Sequence, residues 1–179
     1  MQNSDSTQNS DPSRKWLDLQ GLAVVTIDVG KKVGTLDDFY FDPETNIVPA
    51  ISIKTGLFGH RALMSGEIKS IGIDAITFSG EDMLIEGNGS DQLRTLPMGR
   101  TLLSYRVLSE GGTVVGSIGN IFLDTSNPTT IRVTAFELSG GIKNRISGRY
   151  PTFSSSRIAR YGQDVLVIPD AVAQSLIER

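Results

Sequence analysis

The sequence predicts a mainly β protein: two tandem, small, compact antiparallel β-barrels with a short C-terminal helix. Three observations carry that prediction. First, residues 30–42 recur 82 positions later as residues 112–124. Gly30, Val33, Gly34 and Asp42 meet Gly112, Val115, Gly116 and Asp124, while Thr35, Leu36, Asp38, Phe39, Tyr40 and Phe41 meet Ser117, Ile118, Asn120, Ile121, Phe122 and Leu123. Second, Ile68, Gly72, Asp74 and Ile76 recur as Ile158, Gly162, Asp164 and Leu166 at an offset of 90, so the second copy carries 8 extra residues between the blocks. Third, apolar residues alternate with a period of two between short turn signals, the pattern of strands joined by hairpins with one buried face. Modules of roughly 75 residues sit near the lower size at which a core supports itself, so the copies are expected to lean on each other.

The elements follow in order. Residues 1–15, rich in Gln, Asn, Ser and Asp, have neither the apolar stretch of a signal peptide nor enough hydrophobicity to fold, and are expected as a disordered tail. The first repeat is set at 16–85. In it Ala23, Val25, Ile27 and Val29 are expected to share one buried face, as are Ile47, Ile51 and Ile53, with reversals at Val29-Gly30-Lys31 and Asp42-Pro43-Glu44-Thr45. Pro49 lacks an N–H and places its strand at an edge or a bulge. Residues 75–78 and 83–85 read as a ribbon turning at Ser79-Gly80-Glu81-Asp82. Residues 86–95, with two glycines and several polar residues, read as the linker. In the second repeat, 96–179, the strand faces are Leu103, Tyr105 and Val107, then Ile131, Val133 and Ala135, with turns at Ser109-Glu110-Gly111-Gly112 and Ser126-Asn127-Pro128. After a strand over 164–168, Pro169 and Asp170 open a helix over 171–178 with Val172, Leu176 and Ile177 on its apolar face.

Composition narrows the function classes. Seventeen basic against 20 acidic residues, net charge −3, argue against a general affinity for polyanions. Without cysteine there is no disulfide framework, no cysteine-ligated zinc and no thiol nucleophile, which fits a cytoplasmic location. The longest aliphatic runs, 22–25 and 165–168, fall far short of the ~20 residues of a membrane-spanning helix, so no membrane insertion is expected.

Two further motifs mark the repeats. Gly34-Thr35-Leu36-Asp37-Asp38 runs into the turn Asp42-Pro43-Glu44-Thr45, and Ile68-Lys69-Ser70-Ile71-Gly72-Ile73-Asp74-Ala75-Ile76 is approximated by Ile158-Ala159-Arg160-Tyr161-Gly162-Gln163-Asp164-Val165. The chain thereby resembles, in two tandem copies, the PRC-barrel family, to which the cytoplasmic barrel of the photosynthetic reaction centre H subunit and a ribosome maturation factor belong. The second copy departs from the turn pattern with Asp124-Thr125-Ser126-Asn127-Pro128, which implies a longer hairpin. The resemblance implies partly open barrels and a binding or assembly role without chemistry of their own.

The residues offer little catalytic material. Asp37, Asp38, Asp42 and Glu44 form the densest acidic cluster, but Asp37 and Asp38 face opposite sides of a strand and a carboxylate at a turn caps backbone N–H groups, so turn structure is expected and no metal or acid–base site. The glycines at 111, 112, 116 and 119 lie among strand residues rather than at a helix start, which excludes a phosphate-binding loop. His60 is the only histidine, and a polar loop position is expected for it. The stretch 138–162 holds Lys143, Arg145, Arg149, Arg157 and Arg160, no Asp or Glu, and the aromatics Tyr150, Phe153 and Tyr161. Lys143, Arg145, Arg149, Tyr150, Arg157 and Arg160 are the candidate partner-binding residues, weighed against a solvated loop whose aromatics point inward. The functional expectation is a non-enzymatic adaptor without cofactor that binds another protein, an acidic surface by this patch. The alternative is an RNA or ribosome-maturation accessory factor using the same loop; self-association is compatible with either.

Overall fold

The computed structural model describes residues 12–86, 90–140 and 150–177. In the first half the strands are β1 (Ser13–Lys15), β2 (Ala23–Thr26), β3 (Lys32–Phe39), β4 (Ile47–Val48), β5 (Ala50–Thr55), β6 (Gly59–Met64), β7 (Ile68–Ile71), β8 (Ala75–Phe78) and β9 (Ile85–Glu86). The second half adds β10 (Arg106–Ser109), β11 (Val114–Asp124), β12 (Ile131–Ser139), β13 (Thr152–Ser154), β14 (Arg160–Tyr161) and β15 (Val165–Ile168). Three single α-helical turns, α1 (Trp16–Leu19), α2 (Asp91–Arg94) and α3 (Gly99–Leu102), the longer α4 (Asp170–Ile177) and 3₁₀ turns at Ser65–Glu67, Glu81–Met83 and Ser155–Arg157 complete the described elements. The protein is mainly β, with the strands in two curled, partly open sheets.

The two sheets repeat one topology. The first runs β7-β8-β2-β3-β5-β6-β9 and the second β14-β15-β10-β11-β12-β13, with β1 and β4 attached to β11 and β12. Each is antiparallel except for one parallel pair, β2 with β8 and β10 with β15. That parallel pair departs from the all-hairpin expectation: β2 meets β8 and β10 meets β15 directly, strands far apart along each copy, which curls the sheet. Detailed contacts repeat as well. Val24 stands opposite Gly34 as Val107 stands opposite Gly116. The buried hydroxyls of Thr26 and Ser109 accept from Lys31 and Thr113 N–H, and Gly72 and Gly162 donate to the carbonyls of Ala75 and Val165. Gly34 is required by close approach, because a Cβ there would collide with the Lys54 carbonyl.

What joins the halves is an exchange of entry segments. Strand β1 enters the first half yet pairs antiparallel with β11, Lys15 opposite Phe122. Shifted by 83 positions, Met98 enters the second half and bridges Tyr40. The helical turns that follow are held in the same crossed manner: Leu17 N–H of α1 donates to Asn120 Oδ1 (3.2 Å), and Arg100 N–H of α3 donates to Asp38 Oδ1 (3.1 Å). At the centre Val48 of β4 pairs with Ile131 of β12, its own counterpart under the same shift. The halves are thus related by an internal pseudo-twofold, the self-complementary geometry of a symmetric dimer written into one chain. One continuous core follows, in which Trp16, Leu36, Phe39, Val48 and Ile76 are buried with Leu102, Val107, Ile121, Val133 and Phe136.

Several sequence expectations change. The tail does not reach residue 15, since Ser13–Lys15 is a strand. On β2 the buried residues are Val24 and Thr26; the strand ends there, and Ile27 and Val29 are 58% and 73% exposed in the turn beyond it. Apolar residues on both faces of 23–25 made the alternation uninformative. Leu103 and Tyr105 lie outside a strand, after the helical turn α3, and only Val107 belongs to β10. On β12 the register shifts between the pairs Phe122–Ala135 and Leu123–Val133, so the buried set passes from Ile131 and Val133 to Phe136 and Leu138, leaving Ala135 half-buried. Residues 75–85 are not a ribbon: β8 pairs with β2 and β7, and β9 with β6. Within the segment read as linker, α2 buries Leu93. On α4 Ala173, not Ile177, joins Val172 and Leu176 in the core. Pro49 divides β4, which attaches to the second sheet, from β5, which lies inside the first sheet between β3 and β6 and not at the edge expected of it.

The shared core dictates a single unfolding event. Trp16 is the only tryptophan and sits fully buried on the face of the first half that meets β11, edge-to-face on Phe39 with centroids 4.8 Å apart. Its fluorescence and the far-ultraviolet circular dichroism are expected to change at the same urea concentration; two separated transitions would refute a common core. Asn120→Ala leaves the Leu17 and Ile121 N–H groups without their acceptor and is expected to lower stability by about 1–3 kcal/mol, against about 3–5 kcal/mol for Trp16→Ala.

Candidate functional site

The acidic cluster resolves into structural roles. Asp38 is buried between the sheets, and its Oδ1 accepts from Phe39 N–H (2.9 Å) and Arg100 N–H (3.1 Å). Burial pushes its carboxyl above the usual aspartate value, and the two backbone donors and the Arg100 guanidinium offset this only in part. Asp37 points the other way, between His60 Nε2 and Arg100 Nη2, each at 3.3 Å. Asp42 Oδ1 accepts from Glu44 N–H and Asp124 Oδ1 from Ser126 N–H, both at 3.0 Å, the capping expected of a carboxylate at a turn. The bonds from the Ser126 hydroxyl and N–H hold Asp124 below the ordinary carboxylate value. His60 lies on β6 opposite Lys54 rather than in a loop. Among the described residues no three His, Cys, Asp or Glu side chains cluster as a metal site would require.

Of the six partner-binding candidates, Lys143, Arg145 and Arg149 lie outside the described residues. Arg157, on a 3₁₀ turn (Ser155–Arg157), and Arg160, on β14, are exposed. Tyr150 is 44% exposed. The other aromatics of the stretch serve the fold: Phe153 is buried and stacked on Phe136 at 5.6 Å, and Tyr161 lies edge-to-face on Phe41 at 5.3 Å. The Tyr161 hydroxyl donates to Asn46 Oδ1 (3.0 Å), tying β14 to the first half, and burial pushes its pKa well up.

Two surface features escaped the sequence reading. The β2–β3 turn and the β5–β6 tip project from the same end of the first sheet, because β3 and β5 are antiparallel with Thr35 opposite Lys54. There Leu57 and Phe58 are 84% and 92% exposed, and Ile27 and Val29 are exposed at the same end. Four large apolar side chains at one sheet end form the kind of surface that folding alone does not call for. The second feature is an open cleft of about 330 Å³ between the halves, lined by Pro43, Leu96, Pro97, Tyr105, Tyr161 and Gly162 among others. A tip reading was available from the unbroken Leu57-Phe58 between glycines; the cleft needed the folded contacts.

Two partly open, mainly β sheets in one topology, with exposed apolar turns, define a small β-barrel-like module. Residues 14–86 match the PRC-barrel domain family, a domain of the protein-interaction and assembly type. The match spans the first sheet together with the exchanged strand β1; the second sheet lies outside it. No curated protein matches the chain. Among the described residues no helix is long and apolar enough to cross a membrane.

The buried Asp38 gives a pH prediction. Its folded-state pKa is raised above the ordinary 3.8, so the native protein keeps a proton that the unfolded chain releases. Stability from this group is therefore full below 3.8 and is lost as pH rises through the folded-state value. Asp38→Asn keeps the capping oxygen, as Asn120 does in the other half, without the charge. Its stability relative to wild type is expected to grow with pH through that window and then level off. Urea midpoints from pH 3 to 8 measure this, and a difference independent of pH would refute it.

Proposed function

We propose that this chain is a non-enzymatic adaptor, two PRC-barrel-like copies fused about a pseudo-twofold, that assembles with another protein through its sheet ends. The observation that carries the reading is the grouping of Ile27, Val29, Leu57 and Phe58, all exposed, at one end of the sheet that matches an interaction domain. Apolar and aromatic anchors of this kind supply most of the binding energy at protein interfaces when a partner desolvates them. The exposed Arg157 and Arg160, with Tyr150, Lys143, Arg145 and Arg149, are proposed as a second contact for acidic groups of the partner. The cytoplasm is the proposed location, on the absence of cysteine.

Affinity capture of the full chain, with and without nuclease, followed by binding measurements on the recovered partner tests this reading. Phe58→Ser with Leu57→Ser is expected to weaken association by roughly 2 kcal/mol or more, with stability changed by less than about 0.5 kcal/mol because neither side chain is buried. Arg157→Glu with Arg160→Glu is expected to weaken it further at low salt than at high salt. Partners released by nuclease would instead favour an RNA-associated role.

A further inference from the structure

The pseudo-twofold matches residues of the cleft to residues of the other half, and the decisive difference between the two sites lies at the position of Arg14. In the first half the matching site is filled by the protein itself. Arg14 reaches across from β1 and its Nη1 donates to the Gly72 carbonyl at 2.7 Å, with the Ile71 carbonyl at 3.5 Å. The counterparts of Ile71 and Gly72, at the offset of 90, are Tyr161 and Gly162, which line the cleft; the counterpart of Arg14, at the offset of 83, is Pro97, which lines it too. The equivalence is structural, not only numerical: Gly72 and Gly162 make the same bond to the residue three positions on, and Leu36 and Ile118 donate to the carbonyls of Leu22 and Tyr105 at 2.8 and 3.0 Å. Where the first half holds a guanidinium on two successive carbonyls, the second half has a proline, whose ring cannot reach them, and an open space.

The remaining differences suit a cation from outside. Leu22 is replaced by Tyr105 and Ile71 by Tyr161, so two aromatic rings line a space that its counterpart lines with aliphatic groups. Rings attract a guanidinium over their faces. The Asp164 carboxylate lies near enough to act on the Tyr105 hydroxyl, which adds negative potential at the cleft. Tyr161 is fixed by its bond to Asn46 and its contact with Phe41, so the pocket is pre-formed. At about 330 Å³ it far exceeds the ~10–15 Å³ that admits one water molecule, ample for an arginine side chain.

We propose that the cleft between Pro97, Tyr105, Tyr161 and Gly162 accepts an arginine side chain of a partner protein, in the place Arg14 occupies in the other half. This deepens the adaptor reading and rests on it for the partner, while the site can be tested without one. The probe is the blocked tripeptide acetyl-Gly-Arg-Gly-amide, titrated into the full chain while the ring resonances of Tyr105 and Tyr161 are followed by NMR.

Saturable shifts with one site and a dissociation constant on the order of millimolar are expected for so small a ligand. The lysine and citrulline tripeptides should bind at least about tenfold more weakly, since one lacks the planar fork and the other the charge. Two variants use the symmetry. Pro97→Arg supplies the missing guanidinium and is expected to abolish peptide binding. Arg14→Ala opens the matching site, and the stoichiometry should rise from one to two, with circular dichroism confirming the fold. Absence of saturable shifts, equal binding of the citrulline peptide, or unchanged binding to Pro97→Arg would overturn the proposal. Failure to capture any protein partner would instead overturn the adaptor reading and leave the peptide result standing.

Discussion

Everything in this molecule depends on the crossed entry of the two halves. A sheet of six or seven short strands presents one apolar face that it cannot cover alone, and modules of roughly 75 residues bury too small a fraction of their surface to be secure. Here each sheet is covered by the other, and the segment that begins each half is paired with the other half, β1 on β11 and Met98 in a single bridge to Tyr40 just beyond β3. The buried oxygens of Asp38 and Asn120 then close the arrangement, because each accepts from a backbone N–H in the first turn of the opposite helical segment. Remove the crossing and both the core and the caps lose their partners at once.

The repeat was legible because duplication leaves marks that survive divergence: glycines at close approaches, apolar positions facing one core, and aspartates capping turns. Gly34 and Gly116 both stand opposite a buried valine, and Asp42 and Asp124 both cap the residue two positions on. The strands and α4 were legible for the same reason, since their burial has a period. The crossed entry was not. Strand β1 has three residues and α1, α2 and α3 have four each, too few for any periodicity, and a partner more than 100 positions away is set by the sheet, not by local pattern. The misplaced face of β2 has a local cause: Ala23, Val24 and Val25 are apolar on both sides of the strand, and the parallel neighbour β8 decides which side is covered.

The candidate site was half legible. Arginines free of acidic neighbours can be counted along a chain, and Arg157 and Arg160 are indeed exposed. Their aromatic neighbours could not be assigned that way, and the fold assigns two of them inward: Phe153 to Phe136, and Tyr161 to Phe41 and Asn46. The apolar sheet end is the reverse case. Ile27 and Val29 extend the alternation of a buried strand, and only the end of β2 at Thr26 makes them a surface.

Internal symmetry also separates what the fold requires from what it merely permits. Positions that hold the halves together are kept in kind: Asp38 and Asn120 cap with the same oxygen, Leu19 and Leu102 are both buried, and Val48 and Ile131 meet at the axis. Other positions trade volume. A side chain at Gly99 would collide with the Phe39 ring, while the matching pair is Trp16 with the smaller Ile121, so the bulk lost at one position of each pair is regained at the other and the core stays filled. The exchange of Arg14 for Pro97 has no such compensation. The residues whose carbonyls Arg14 serves have counterparts lining an open cleft, and the neighbouring changes, Leu22 to Tyr105 and Ile71 to Tyr161, bring aromatic residues to it without filling it. A divergence that packing explains marks the core, and one that packing leaves unexplained, as at this cleft, is the ground on which the arginine pocket is proposed.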